Sequence, residues 1–273
     1  MAGMSVLFLL AHPDDEFGCF ESLRRVVASG GRAVVVYLTD GGSGTGIAMR
    51  RSDESRAVLG RLGISSGNLH FIGAQNHLPD GGLHRHLMPA WEACLAFCAT
   101  QPAFDSIYMP AWEGGHPDHD AVHLLGVLLG RRLGISRLFQ FPLYNARAVP
   151  KPFFRVLDPL AGNGTVQRLT IRWADRFRYL RLCLSYPSQW KTWVGLLPFV
   201  APKLLLGGSY ALQRAGEREL SERPHDGPLL YESRGWLSWQ DFCTEIQRFL
   251  FRLPSHGQIG IVTPSATPTE SQS

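Results

Sequence analysis

Over the first half of the chain, short apolar runs alternate with longer segments whose apolar positions recur at helical spacing. Met4–Leu10 is a nearly continuous apolar run of strand length, and Arg32–Leu38 is a second, rich in valine. Leu69–Ile72, Asp105–Pro110 and Arg137–Phe141 repeat the pattern. Runs of this kind suit parallel strands buried on both faces. Between them, helical spacing predicts a helix from the 11–16 loop to about Ser29, then Ile47–Leu62, Leu87–Thr100 and Asp118–Leu133. Gly63 and Gly134 are placed to end two of these helices. Strands alternating with helices make βαβ units. The prediction is an α/β fold with a Rossmann-like, mostly parallel sheet carrying helices on both faces.

Past residue 145 the pattern loosens. Arg168, Arg172, Arg176, Arg178 and Arg181 are interleaved with Trp173, Phe177 and Tyr179. Trp193–Leu206 is apolar but interrupted by Gly195, Pro198 and Pro202, too short and too broken to span a membrane. It reads as a lid or rim packed on the core, with a membrane-contacting patch beside a basic strip as the alternative. Leu229–Tyr231 and Trp236–Leu250 read as a closing strand and helix. Residues 1–145 therefore form the core, and 146–253 a smaller α+β extension completing the same domain. The Pro/Ser/Thr-rich tail 254–273 is expected to be disordered.

Composition narrows the class only slightly. The 273 residues suffice for one large domain. A net charge of +4, carried mostly by arginines, does not imply nucleic acid, and no such partner is expected. At most a peripheral membrane contact is expected. The five cysteines, Cys19, Cys94, Cys98, Cys183 and Cys243, are odd in number and form no C-x-x-C pair. Met4–Leu10 is too short for a secretory apolar region and lacks a basic flank. Both features point to a reducing, cytoplasmic setting.

The chemistry lies in two clusters, Ala-His-Pro-Asp-Asp-Glu at 11–16 and His-Pro-Asp-His at 116–119. Each follows a predicted strand, and in parallel sheets the ligand site lies at the carboxyl ends of the strands. His12 and Asp15 come from the first loop, His116 or His119 from the second. A catalytic zinc takes three such ligands and keeps one position open. Asp14 and Asp15 point apart, so that one can bind metal while its neighbour faces water. Alternatively, either caps the following helix. Glu16 reads as a supporting or capping residue. His123, one turn past His119, is either a fourth ligand or an exposed helix position. A lone His-Pro-Asp is an ordinary turn, but two such clusters on convergent loops make a site.

On Ala11–Glu16, Thr39-Asp40-Gly41-Gly42, Arg51-x-x-Glu54 before Leu62-Gly63, and His116–His119, the sequence resembles the PIG-L or LmbE-like N-acetylglucosamine deacetylases. The resemblance covers about residues 4–145. It implies one zinc held by His12, Asp15 and His119, with Asp14 as general base. It further implies that His116, as imidazolium, stabilises the oxyanion or protonates the leaving amine, and that Asp118 tunes His116. Arg51 and Asp80 look like substrate contacts, with a helical ion pair to Asp53 or Glu54 as the alternative for Arg51. The implied reaction removes the N-acetyl or another N-acyl group from an amino sugar, free or linked to a nucleotide, lipid, glycopeptide or other aglycone. Ferrous iron on the same triad and a non-catalytic sugar-binding homologue are the rivals. One departure stands out: some members carry a carbonyl-polarising tyrosine two residues before the first histidine of the second motif, and here that position is Gly114.

Overall fold

The computed structural model describes residues 3–42, 46–216, 218 and 220–253. The tail, expected to be disordered, lies outside these. The strands are β1 (Ser5–Leu10), β2 (Arg32–Tyr37), β3 (Leu69–His70), β4 (Ser106–Pro110), β5 (Leu138–Phe141), β6 (Tyr144–Asn145), β7 (Arg155–Val156), β8 (Val166–Thr170) and β9 (Ser209–Arg214). The helices are α1 (Phe20–Ala28), α2 (Ile47–Arg61), α3 (Ile72–Gln75), α4 (Leu87–Ala99), α5 (Pro117–Leu133), α6 (Trp173–Cys183), α7 (Trp190–Pro202), α8 (Leu230–Ser233) and α9 (Trp239–Arg252). Seven strands form one sheet in the order β3-β2-β1-β4-β5-β9-β8, and β6 and β7 make a separate two-stranded ribbon.

The first five strands of the large sheet are parallel, as their apolar runs require. Side chains alternate between faces along each strand. Val6, Phe8 and Leu10 enter one core with residues of α1, α2, α6 and α7. Leu7 and Leu9 enter the other with α4, α5 and α9. The chain runs outward from β1 through β2 to β3, then restarts on the other side with β4 and β5. Strand order therefore reverses between β1 and β4, a topological switch point. The loops carrying His12 and His116 leave these two neighbouring strands, and so meet.

The second half differs from its sequence pattern in three places. The sheet is finished by β9, antiparallel to β5, and by β8, antiparallel to β9. β8 is an edge strand with only Leu169 buried, so it carries no apolar run to announce itself. Leu229–Tyr231 is no strand: Leu229 precedes the single turn of α8, and its N–H donates to Glu232 Oε2 at 2.8 Å. Leu230 N–H then donates to Gly114 O at 2.8 Å, tying this turn to the second motif's loop. The third difference is α7, which runs through Pro198. Trp193, Leu196 and Val200 recur at helical spacing and bury one face on the core. Among the described residues no helix is long and apolar enough to cross a membrane.

Candidate active site

The loop after β1 folds back onto its own carboxylates. Asp15 Oδ2 accepts the backbone N–H groups of Ala11 at 3.0 Å and His12 at 2.7 Å. Its Oδ1 is thereby left to face His119 Nε2, 3.0 Å away on α5. His12 Nδ1 lies 3.5 Å from Asp15 Oδ2. Burial would raise the Asp15 carboxyl, but His119 and His12 hold it well below the usual carboxylate range.

Asp14 sits at φ 119°, ψ −17°, a region that non-glycine residues seldom occupy and that costs on the order of 1–3 kcal/mol. Neighbours hold it there. Its N–H donates to Glu16 Oε2 at 2.9 Å, and Phe17 N–H donates to its carbonyl at 3.1 Å. Tyr186 Oη–H in turn donates to Glu16 Oε1 at 2.9 Å, so Glu16 is a buried brace for the loop. The unusual backbone separates the two aspartates: Asp15 meets His119, while Asp14 lines the pocket with its Oδ1 3.7 Å from an Arg51 nitrogen. Burial pushes the Asp14 carboxyl up to about 8, against the pull of Arg51.

On the other side, Pro117 occupies the first turn of α5, where its missing N–H costs nothing, and His116 caps the helix. His116 Nδ1 accepts the Asp118 N–H at 3.2 Å, so the neutral ring carries its proton on Nε2. Burial, with His12 beside it, pushes this imidazole down to about 3. The Asp118 carboxylate raises the His116 imidazole against that burial, and its hydrogen bonds go to other groups. Its Oδ2 lies 3.1 Å from His12 Nε2, and the carboxylate also accepts the N–H groups of Gly81 at 2.6 Å and Leu83 at 3.0 Å. Asp80 Oδ1 is 3.2 Å from the same His12 nitrogen. Burial opposes charge on His12, yet Asp80, Asp15 and Asp118 together raise it well above the usual imidazole value.

Nitrogens of His12, His116 and His119 lie within 4.8 Å of one another, and Asp15 reaches two of these rings. Arg51 pairs with Asp14 and Asp80 at the edge of this group. Imidazoles plus an excess of buried carboxylate make a donor set that fits a divalent cation, zinc in particular. The carboxylate behind His12 is the outer partner that metal-bound histidines commonly use.

Arg51 is not a surface ion pair with Asp53 or Glu54. It donates to Gly41 O at 2.5 Å, Asp80 Oδ2 at 2.8 Å and Gln189 Oε1 at 2.7 Å. Glu54 instead accepts from Ser188. Asp40 braces the same corner, its Oδ1 accepting the N–H groups of Gly42 and Asp80, each at 3.0 Å. The pocket over these groups is about 680 Å³, and its mouth includes Trp190, Lys191, Arg234 and Trp236. The arginine–aromatic strip at 168–181 does not line it. Arg172 pairs with Asp175, and Arg176 bonds backbone carbonyls beside Trp173. His123 bonds Pro110 O at 2.9 Å behind the site.

Residues that the sequence alone did not single out are Gln189, whose amide bridges Arg51 and Pro13 O (2.6 Å), Tyr144, and the four at the mouth. All come from the second half, where no motif marks them. Gln189 and Trp190 begin just before the apolar stretch that becomes α7.

Residues 7–129 match the family model described as PIG-L: GlcNAc-PI de-N-acetylase. This stretch is similar to the PIG-L family. Over 75 residues the chain is 40% identical to "Uncharacterized deacetylase YaiS" of Escherichia coli (strain K12), an overlap of 27% of this chain and 40% of YaiS. Two solved structures share the fold. The conserved protein TT1542 from Thermus thermophilus superposes with a TM-score of 0.52 at 24% identity, over 80% of this chain and 96% of that one. The A40926 pseudoaglycone deacetylase Dbv21 gives a TM-score of 0.56 at 18% identity, over 79% and 100%. The matched stretch thus holds both histidine motifs, and the mouth of the pocket comes from outside it.

The contact between Asp118 and His12 makes a prediction. Asp118→Asn should keep the fold but lower zinc affinity about 10–100-fold in chelator competition, because the charge behind His12 is lost. An unchanged affinity would remove Asp118 from the site's support.

Proposed function

We propose that this PIG-L-like domain is a zinc-dependent hydrolase that removes the N-acetyl, or another N-acyl, group from an N-acetylglucosamine-type amino sugar. The observation that carries the reading is the division of labour between adjacent aspartates: Asp15 is engaged with two histidines, and Asp14 is left facing the pocket beside Arg51. In this reading His12, Asp15 and His119 hold the zinc. When bound, the metal polarises the amide carbonyl and lowers the pKa of a water to about 7.

The chain's own groups account for the proton movements. Asp14 accepts a proton from the water attacking the acyl carbon, and its raised affinity for that proton suits a base working near neutral pH. His116 acts as a neutral donor: its Nε2–H bonds the oxygen on which charge develops, since Nδ1 is occupied by the Asp118 N–H. This replaces the imidazolium expected from the resemblance. As the C–N bond breaks, Asp14 returns the proton to the departing nitrogen, so amine and acetic acid leave, the acid sheds its proton to solvent, and the Asp14 carboxylate is restored.

Arg51 orients Asp14 and Asp80, and Asp80 is placed to bind sugar hydroxyls. Indole faces at Trp190 and Trp236 suit a sugar ring, and Lys191 and Arg234 suit an anionic group. The open mouth supports a conjugated amino sugar over a free monosaccharide. The five free cysteines support a reducing, cytoplasmic setting.

Zinc-loaded protein should release free amine from at least one member of a panel of N-acylated glucosamines, free and linked to nucleotide, lipid or glycopeptide. Asp14→Asn should retain zinc and lose about 10²–10⁴ of the rate. Absence of turnover across the panel, or loss of zinc in that variant, would contradict the reading. The pH profile supplies a second test. Asp14 works deprotonated, so kcat/KM rises with pH through its pKa, and Arg51 lowers that pKa. Arg51→Ala should therefore move the acid limb to higher pH. A limb that stays fixed, or moves down, would separate Arg51 from Asp14.

A further inference from the structure

We propose that Tyr144 is a catalytic residue whose phenol is a second hydrogen-bond donor to the oxyanion of this hydrolysis; the proposal rests on the amide-hydrolase reading above. Tyr144 follows the end of β5, at the carboxyl edge of the sheet beside the loop from β4. It lines the pocket together with His12, Asp14, Asp15 and His116.

Its backbone is fixed by a group that has no other evident task. Glu113 is fully buried, and its Oε1 accepts the N–H groups of Leu143 at 2.7 Å and Tyr144 at 2.8 Å. Its Oε2 takes the Asn145 side-chain amide at 3.3 Å. The loop ahead of His116 makes room. A Cβ at Gly115 would stand 1.9 Å from the Tyr144 carbonyl oxygen and 3.0 Å from its Cδ2. Gly114 has φ +68°, and a Cβ there would strike the Leu229 side chain at 2.5 Å. A side chain at position 114 would need a strained backbone and a shift of Leu229, and Tyr144 packs against the neighbouring Gly115.

The ring packs 5.2 Å from His119 and 6.3 Å from Phe154, which fixes its plane. The hydroxyl is another matter. The hydroxyl of half-buried Tyr144 has no hydrogen-bond partner among the described residues, and unlike the buried, equally unpartnered Tyr37, Tyr210 and Tyr231 it belongs to a ring that lines the pocket. An ordered phenol that lines a reaction pocket with its O–H uncommitted is a donor in waiting for a substrate oxygen. Donation to an oxyanion is strongest where charge develops, so it favours the transition state over the ground-state amide. The phenol keeps its proton throughout, and the proton balance between water, Asp14 and the amine is unchanged.

Tyr144→Phe retains the ring and its packing and removes only the hydroxyl. On the N-acyl substrate, kcat should fall about 10²–10³-fold with KM little altered, and zinc content and melting temperature should match the parent. A phosphonamidate analogue of the substrate, tetrahedral and anionic, should bind the variant correspondingly more weakly, while the product amine binds both proteins equally. A kcat within about twofold of the parent, or equal weakening for analogue and amine, overturns the role of Tyr144 while leaving the hydrolase reading standing. A parent enzyme that hydrolyses no amide in the same assay overturns both.

Discussion

The site depends on one carboxylate being used twice. Asp15 Oδ2 gathers the N–H groups of its own loop, and Oδ1 crosses to His119 Nε2 on the helix that follows the neighbouring strand. The first engagement gives the loop after β1 its shape. The second links it to α5. Neither loop is long, and both leave strands adjacent at the switch point, so little chain must be ordered beyond what the sheet already fixes. His12 is fixed from behind by Asp80 and Asp118, and Asp14 by Arg51 from the side, so the group is set before any ligand arrives.

Electrostatics follow from that geometry. Asp14, Asp15, Asp80 and Asp118 converge where, among the described residues, Arg51 is the permanent positive charge paired with them. The arrangement is unfavourable by itself and is relieved by a cation. The rise of His12 and the opposite behaviour of Asp14 and Asp15 express the same imbalance. Two adjacent carboxyl groups are driven apart because one meets imidazoles and the other is buried facing the pocket. Environments that separate the behaviour of like groups are how a single fold obtains a ligand and a base from neighbouring residues. The strained φ of Asp14 is the local backbone cost of that separation.

The first half of this architecture is legible in the chain because its strands are buried on both faces and its motifs are contiguous. Five parallel strands, the helices between them and the convergence of residues 12–15 with 116–119 follow from apolar runs and motif placement. The second half is not, for physical reasons. β8 is an edge strand with one buried residue, so no periodicity betrays it. α7 carries Pro198, which reads as a break, although its buried face of Trp193, Leu196 and Val200 holds the helix together. Tyr144 and Gln189 matter through tertiary position alone: each is a single polar residue, brought to the pocket by a strand end or a helix start. The contact of the Asp118 carboxylate with His12 is likewise hidden, because the two residues lie far apart in sequence and meet only through folding.

X-ray absorption spectroscopy of the zinc-loaded protein counts the imidazole and oxygen ligands directly. Two imidazoles with oxygen donors at about 2.0–2.2 Å, and no sulfur, are expected. In His119→Ala one imidazole should disappear, while His116→Ala should leave the imidazole count at two. Three imidazoles in the parent protein, reduced to two by His116→Ala, would place the metal among His12, His116 and His119 and contradict the assignment of Asp15 as ligand and His116 as donor.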